Sequence, residues 1–137
     1  MRKSLLAFSL LALLTGKAFA ADYVVDTAGA HASINFKIQH LGYSWLTGRF
    51  NTFDGKFSYD TAKPEASTIS VNINTDSLDS NHAERDKHLR GEEFLYVKKY
   101  PIAKFVSTKV ESLGAERLKI FGDLSLHGIT KPVIIMA

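Results

Sequence analysis

The sequence lacks cysteine altogether and has little proline or tryptophan, with three prolines and one tryptophan in 137 residues. Without cysteine the chain cannot form a disulfide, so an exported form of it depends on its apolar core for stability. A domain of this length can supply such a core. The same absence leaves no thiol redox chemistry to consider.

Long hydrophobic runs are also scarce, and the longest extends from Ser4 to Leu14. This run follows the basic pair Arg2 and Lys3 and precedes Ala18-Phe19-Ala20, a small-x-small cleavage site, which is the pattern of a secretory signal peptide. It is shorter than the ~20 residues that a membrane-spanning helix needs. We therefore expect residues 1–20 to be removed on export; a retained membrane anchor is the alternative.

A surplus of positive charge is missing once this leader is set aside. The formal charge of +3 equals the three cations Arg2, Lys3 and Lys17, and residues 1–20 hold no acid, so the remainder has no net charge. Nucleic-acid binding would need a basic patch in the folded domain, and we predict no nucleic-acid partner. The length predicts that residues 21–137 form a single domain.

Alternation of apolar and polar residues, the period of a half-buried strand, predicts that most of the chain is β-structure. The alternation is clearest at Ile34, Phe36 and Ile38. The following run to Tyr59 reads as one long strand with a bulge or bend between Phe50 and Phe53. Further strands are predicted at residues 22–26, 68–74, 102–110, 118–126 and from 133 onwards, with the buried face of 102–110 ambiguous.

One short helix is predicted between Asn81, as its N-cap, and Gly91, as a left-handed C-cap. The intervening residues 82–90 are mostly charged, so we expect this helix to lie across one end of the sheet. About seven strands and one helix indicate an all-β barrel or sandwich, and the long, glycine-containing strands favour the barrel.

Several segments in order resemble the YceI-like periplasmic proteins. They are His31…Asn35-Phe36…His40-Leu41-Gly42, Gly48-x-Phe50…Phe53-Asp54-Gly55, Arg85-Asp86-Lys87-His88-Leu89 followed by Phe94, Tyr100-Pro101, and Gly122-Asp123-Leu124…Gly128-Ile129-Thr130-Lys131-Pro132-Val133. The resemblance implies a lipocalin-like antiparallel β-barrel of eight strands, exported to the periplasm, whose interior holds a polyisoprenoid or similar amphiphilic lipid without catalysis.

Members of that family continue past the position of Ala137, so the resemblance also implies that the barrel is incomplete at the C-terminus. A chain ending here would expose an unpaired strand edge, which favours aggregation or strand exchange.

The inward positions are the candidate lipid-binding residues, although alternation alone favours a filled core over a cavity. They are Ile34, Phe36, Ile38, Phe50, Phe53, Phe57, Ile69, Val71, Ile73, Ile120 and Leu124. Gly42, Gly48, Gly55 and Gly122 near this face remove side-chain volume, and with the resemblance they favour a cavity. Loop positions suggest His40, Tyr43, Trp45, Arg49 and His88 as neighbours of a lipid head group at the mouth.

No catalytic residue, metal ligand or cofactor is predicted. His82 and His88 are six residues apart, which places them on different helix faces. Arg85 and Asp86 could form an acid–base pair, but a structural role for such a charged run is favoured. An enzyme acting on an amphiphilic substrate and an interaction module with a filled core are the alternatives to a lipid carrier. Transient membrane contact is expected of a carrier, and the oligomeric state stays open.

Overall fold

The computed structural model describes residues 20–29 and 31–137, so the predicted leader lies outside the described residues except for Ala20. Within these ranges the chain forms nine strands and one α-helix, α1 (Ala83–Leu89). The strands are β1 (Ala21–Val24), β2 (Ile34–His40), β3 (Ser44–Phe50), β4 (Phe53–Tyr59), β5 (Thr68–Asn74), β6 (Leu78–Asp79), β7 (Ile102–Ser112), β8 (Leu118–Leu126) and β9 (Ile129–Met136). In the same ranges, no helix combines the length and hydropathy of a membrane span.

The strands form two antiparallel sheets. Six strands pair in the order β1-β4-β5-β7-β8-β9, and three pair in the order β2-β3-β6. The expected all-β, antiparallel fold with one short helix is confirmed. Among the described strands, neither sheet closes on itself into a barrel.

The predicted long strand across Phe50 and Phe53 is in fact two strands, β3 and β4, which belong to different sheets. The backbone between them is bound by the segment that follows β5. The N–H of Asn51 donates to the carbonyl of Ser77 at 3.0 Å, and the carbonyl of Thr52 accepts from the N–H of Asn74 at 2.9 Å. These distant partners, and not a bulge, explain the break in the alternation.

The ambiguity of residues 102–110 has a structural cause. Ala103 and Phe105 are buried at the start of β7, and Val110 is buried near its end, so the buried positions change from odd to even numbers. The pairing with β8 shifts register between Ser107 and Lys109, which is a β-bulge. Because one extra residue reverses which side chains point inward, no single alternation could describe this strand.

The core lies on one face of the six-stranded sheet, around Phe105, Val110 and Ile120. Val110 pairs directly with Ile120, and Phe105 pairs with Leu124. The partly buried side chains packed against this centre are Ile69, Val71, Leu118, Leu124 and Val133.

Helix α1 begins one residue later than predicted, and its C-terminal cap differs. His82, not Asn81, is the N-cap, and its Nδ1 accepts a hydrogen bond from the N–H of Arg85 at 3.2 Å. Gly91 does not adopt the left-handed conformation; the chain turns at Tyr96, where φ is 44°. The prediction of Gly91 as a left-handed cap was therefore wrong, because the N–H of Gly91 instead donates to the carbonyl of His88 at 2.9 Å.

Buried polar contacts fasten this helix to the end of β6. Asp86 is only 7% exposed, and it accepts hydrogen bonds from the backbone N–H of Ser80, at 2.9 Å, and from the Ser80 hydroxyl. Arg85 Nε donates to the same hydroxyl at 2.7 Å. Arg90 Nε reaches the carbonyl of Asp76 at 2.8 Å. These contacts favour a structural role for Arg85 and Asp86.

Replacement of Asp86 by alanine should lower the free energy of unfolding by about 2 kcal/mol or more, because both Ser80 donors lose a charged acceptor in a buried position. Urea unfolding followed by circular dichroism measures this. Glu84→Ala, on the exposed side of the same helix, is the matched control and should change stability by less than ~0.5 kcal/mol. Equal effects of the two substitutions would refute the anchoring role.

Candidate functional site

A continuous apolar face crosses the six-stranded sheet. Residues directly opposite each other in antiparallel strands share a face, so the pairing of Phe57 with Tyr23 and with Ile69 makes one apolar row. The rings of Tyr23 and Phe57 are stacked, with centroids 4.8 Å apart. A second row runs through Val71, Phe105 and Leu124 on the neighbouring strands.

Seven of the eleven predicted lipid-binding residues belong to this sheet, and the pairing brings them onto one face. Ile120 is buried, with 2% exposure, and the other six are partly buried; the seven are Phe53, Phe57, Ile69, Val71, Ile73, Ile120 and Leu124. An open depression of about 580 Å³ beside β1, β4, β5 and β7 includes Phe57 and Ile69 in its wall. This face is the main candidate site.

The other four predicted lipid-binding residues lie in the three-stranded sheet, on the hairpin of β2 and β3. Ile34 pairs with Phe50, Phe36 with Gly48, and Ile38 with Leu46, so all four share one face of the hairpin. Ile38 is 52% exposed, whereas the rings of Phe36 and Phe50 pack together with centroids 5.6 Å apart. The structure therefore divides the predicted set between two sheets.

The inward glycines do not open space for a ligand. The ring of Phe36 lies directly over Gly48, and the ring of Phe105 lies over Gly122, in the volume that a Cβ would need. Gly55 is contacted by Val25 and Val71. These glycines admit neighbouring side chains, so the reasoning from glycine to cavity volume was wrong at these three positions.

The opposite face of the hairpin is polar and forms a groove of about 760 Å³ beside α1. Trp45 and Arg49 line it together with Lys37, whose ammonium nitrogen is 4.4 Å from the centroid of the Trp45 ring. Arg49 Nη2 is 3.8 Å from a carboxylate oxygen of Asp79. Two of the five predicted head-group residues thus share one groove.

The other three head-group candidates lie outside this groove. His40 ends β2 and Tyr43 lies in the turn that follows, where its N–H donates to the carbonyl of His40 at 3.3 Å. His88 is on α1, where its Nε2 is 3.5 Å from Glu93 and its ring packs edge-on against Phe94.

Asp79 is kept ionised at the edge of the groove. A hydrogen bond from the Asn81 backbone N–H, at 2.8 Å, and then one from the Asn51 side-chain amide hold the pKa of Asp79 below its usual value of 3.8. The charges of Arg49 and Arg90 act in the same direction.

Sequence reasoning did not identify two further features. An open depression of about 1030 Å³ lies between the end of α1 and the start of β7, lined by Arg90, Tyr96 and Val97 among others. In the β8–β9 turn the Nε2 atom of His127 is buried without a partner among the described residues, and its ring centroid is 4.8 Å from that of Tyr100. Both involve loop contacts that alternation cannot reveal. In the described ranges no three His, Asp or Glu side chains cluster as a metal site requires.

The family of the chain follows from sequence comparison. The profile of the YceI-like domain matches residues 23–137. The chain belongs to the YceI-like domain family. A UPF0312 protein of Azotobacter vinelandii is 58% identical over the whole chain, which covers 72% of that protein. A UPF0312 protein of Shewanella denitrificans is 61% identical, again over the whole chain, which covers 73% of its length.

Solved structures share the fold of this YceI-like chain. The Campylobacter jejuni YCEI protein matches with a TM-score of 0.65 and 32% identity, over 83% of this chain and 66% of that one. Burkholderia cenocepacia BcnA matches with a TM-score of 0.74 and 23% identity, over 82% and 69%. A polyisoprenoid binding domain from Saccharophagus degradans matches with a TM-score of 0.62 and 18% identity, over 86% and 66%. At these last two identities the likeness concerns the fold.

Replacement of Gly48 by alanine should destabilise the hairpin by about 1–3 kcal/mol, because the new methyl group would overlap the Phe36 ring and approach the Asp79 carbonyl to 2.9 Å. Chemical unfolding measures the loss. When Gly48→Ala is combined with Phe36→Leu, part of this loss of stability should be relieved. If the two substitutions instead changed the free energy of unfolding additively, the contact of the Phe36 ring with Gly48 would be contradicted.

Asp79→Asn should flatten the dependence of stability on acid pH. A carboxyl group with a lowered folded-state pKa stabilises the fold above its unfolded pKa near 3.8, and this contribution disappears as the pH falls through the lower folded-state value. Urea unfolding at pH 7 and at pH 3 should therefore show a smaller drop for Asp79→Asn than for the unsubstituted protein. Asp123→Asn, at an exposed position of β8, is the control and should keep the drop of the unsubstituted protein. If Asp79→Asn also lost as much stability between pH 7 and pH 3 as the unsubstituted protein, this role of Asp79 would be rejected.

Proposed function

We propose that this protein is a periplasmic binding or carrier protein for a polyisoprenoid or a similar amphiphilic lipid, which lies against the apolar face of the six-stranded sheet. The observation that carries the proposal is the row of apolar side chains shared by consecutive strands, most of them only partly buried. We assign to the lipid chain the seven predicted apolar residues of this sheet, with Phe57, Ile69 and Val71 at the centre. The four predicted residues on the β2–β3 hairpin remain proposed lipid contacts from the second sheet.

The free energy for such binding comes from apolar burial. Each methylene-sized group removed from water contributes ~0.8 kcal/mol, so a chain of ~15 carbons offers ~12 kcal/mol before ordering and association costs are subtracted. Polar contacts to the lipid chain are not needed for affinity. A face made of apolar side chains such as Phe57, Ile69 and Val71 can therefore serve as the binding site.

The family and its structural neighbours support the ligand class. A neighbour with the same fold is a polyisoprenoid binding domain, and a ligand of that class matches the apolar rows around Phe57 and Val71. We also propose that the two sheets are parts of one lipocalin-like barrel, in which further strands join the edges of β2 and β9 that have no neighbour among the described strands. The relatives, which are longer than this chain, are consistent with such strands.

Export to the periplasm is proposed from the leader-like pattern of residues 1–20. For the head group of the lipid we propose Trp45 and Arg49, which line one groove with Lys37, and His40 and Tyr43 in the adjoining turn. We also propose His88, in the C-terminal half of α1, as a neighbour of the lipid head group.

We propose a binding function without catalysis. The two buried carboxylates of the described residues have structural partners: Asp86 is bound by Ser80, and Asp60 accepts from the N–H groups of Ala62, at 2.8 Å, and Lys63, at 3.2 Å. Neither is placed to act on a substrate at the apolar face.

The test is to purify the exported protein and identify retained lipid by native mass spectrometry and solvent extraction. Val71→Trp should reduce the lipid-bound fraction at least tenfold, because the larger ring fills the apolar face. Ile102→Trp is the matched control, since Ile102 lies on the opposite face of the neighbouring strand β7 and is 52% exposed, and it should retain the lipid.

Folding of both variants is checked by thermal unfolding, and Ile69→Trp serves as a second filling variant. Retention of lipid by all three variants, or an unsubstituted protein that never carries lipid, would refute the carrier proposal. The second outcome would favour the interaction module with a filled core.

A further inference from the structure

The turn between β2 and β3 carries apolar side chains where polar ones are usual. We define the hairpin tip as residues 41–45. In it Leu41 is 71% exposed, Tyr43 86% and Trp45 56%. Turns are normally built from Gly, Asn, Asp, Ser and Pro, and large exposed apolar clusters mark interaction sites. The exposed apolar side chains of the tip therefore indicate a surface that binds an apolar partner.

The tip is open to solvent around Gly42, and a side-chain hydrogen bond braces its turn. The last strand pair is His40 with Ser44, and a Cβ at Gly42 would have no atom within 4 Å. The Gln39 side-chain amide donates to the carbonyl of Gly42 at 2.9 Å, which braces the turn. Leu41 has a left-handed φ of 52°, a conformation that is unusual for leucine and that is adopted here while its side chain remains exposed.

The hairpin that bears the tip has charge of one sign. Between His31 and Phe50 there is no Asp or Glu, whereas Lys37 and Arg49 are both present. Lys37 places its ammonium group over the Trp45 ring, so a cation adjoins the exposed aromatic surface. Arg49 adds a second cation on the same face of the hairpin, with Asp79 as its neighbouring acid.

We infer that the hairpin tip docks onto a lipid bilayer that contains anionic head groups. Tyr43 and Trp45 are the residue types enriched at membrane–water interfaces. Leu41 enters the boundary of the acyl chains, and Lys37 reaches the phosphates with its aliphatic stem along the ring. The purpose of this contact, exchange of lipid with the membrane, rests on the proposed function; the contact itself does not.

A bilayer fits the tip better than a protein partner does. A stable protein interface uses about 20–30 residues on each side, and the tip offers three large side chains on one turn. A second copy of the chain would bring like charges together at Lys37 and Arg49. An anionic membrane surface needs no complementary shape and attracts Lys37, the cation beside the Trp45 ring.

The single tryptophan of the chain lies in the tip, so its fluorescence reports docking directly. With the exported, leader-free protein and vesicles of phosphatidylglycerol and phosphatidylcholine, the emission of Trp45 should shift to shorter wavelength, and brominated lipids should quench it. Vesicles of phosphatidylcholine alone should bind at least tenfold more weakly, and raising the salt concentration should weaken binding to the anionic vesicles.

Vesicle co-sedimentation then measures the tip variants. Leu41→Ser should weaken binding about tenfold, because the leucine side chain loses its apolar burial in the bilayer. Leu113→Ser, an exposed leucine beside the glycine of the β7–β8 turn, is the matched control and should have no effect. Lys37→Gln should weaken binding to anionic vesicles about fivefold, whereas Lys63→Gln on the loop before β5 should not.

Lipid retention, measured in the same preparations, separates this inference from the proposed function. A Leu41→Ser protein that retains lipid but loses vesicle binding supports docking by the tip, since Leu41 is not one of the residues assigned to the bound lipid. Absence of a Trp45 shift, or vesicle binding that survives Leu41→Ser, overturns docking even if lipid is retained. A protein that binds vesicles through its tip but carries no lipid would keep the docking surface and refute the carrier.

Discussion

The fold depends on the packing of Phe105 across Gly122, at the centre of the six-stranded sheet. Strand β7 pairs with β5 on one side and β8 on the other, and its buried side chains connect the two halves of the apolar face. The ring can occupy its place over β8 only because Gly122, diagonal to Phe105 in the strand pairing, has no Cβ. The same contact of an aromatic ring with a glycine occurs in the hairpin, where the Phe36 ring lies over Gly48 and packs β2 against β3.

The bulge in β7 is what lets a long strand serve this core at both ends. Before the bulge, Ala103 and Phe105 point inward, and after it Val110 does, opposite Ile120. A regular strand of this length would twist its apolar row away from the sheet centre, whereas the extra residue restores it. The structure therefore requires buried apolar residues at odd-numbered positions before the bulge and at even-numbered positions after it.

Local alternation was enough to predict which apolar side chains share a face in β2, β4, β5 and β8, because in a regular strand the face of a side chain depends only on its own parity. It was not enough where distant residues decide the outcome. The end of β3 depends on hydrogen bonds to residues 74 and 77, more than twenty positions away. The glycines were misread for the same reason, since whether a missing side chain leaves a gap depends on which ring lies opposite. The family could be inferred from motifs, but the division of the apolar residues between two sheets could not.

Charge and apolar surface are distributed over the two sheets in complementary ways. The six-stranded sheet gathers apolar rows on one face and keeps Lys56, Lys104 and Asp123 exposed. The three-stranded sheet instead combines exposed aromatic residues with cations on the β2–β3 hairpin. A carrier has to hide a lipid chain from water and also approach the surface from which that chain comes, and these two tasks need opposite surfaces. Leu41 lies at the end of the hairpin and Val71 lies in the six-stranded sheet, so substitutions at these two positions allow the two roles to be measured separately.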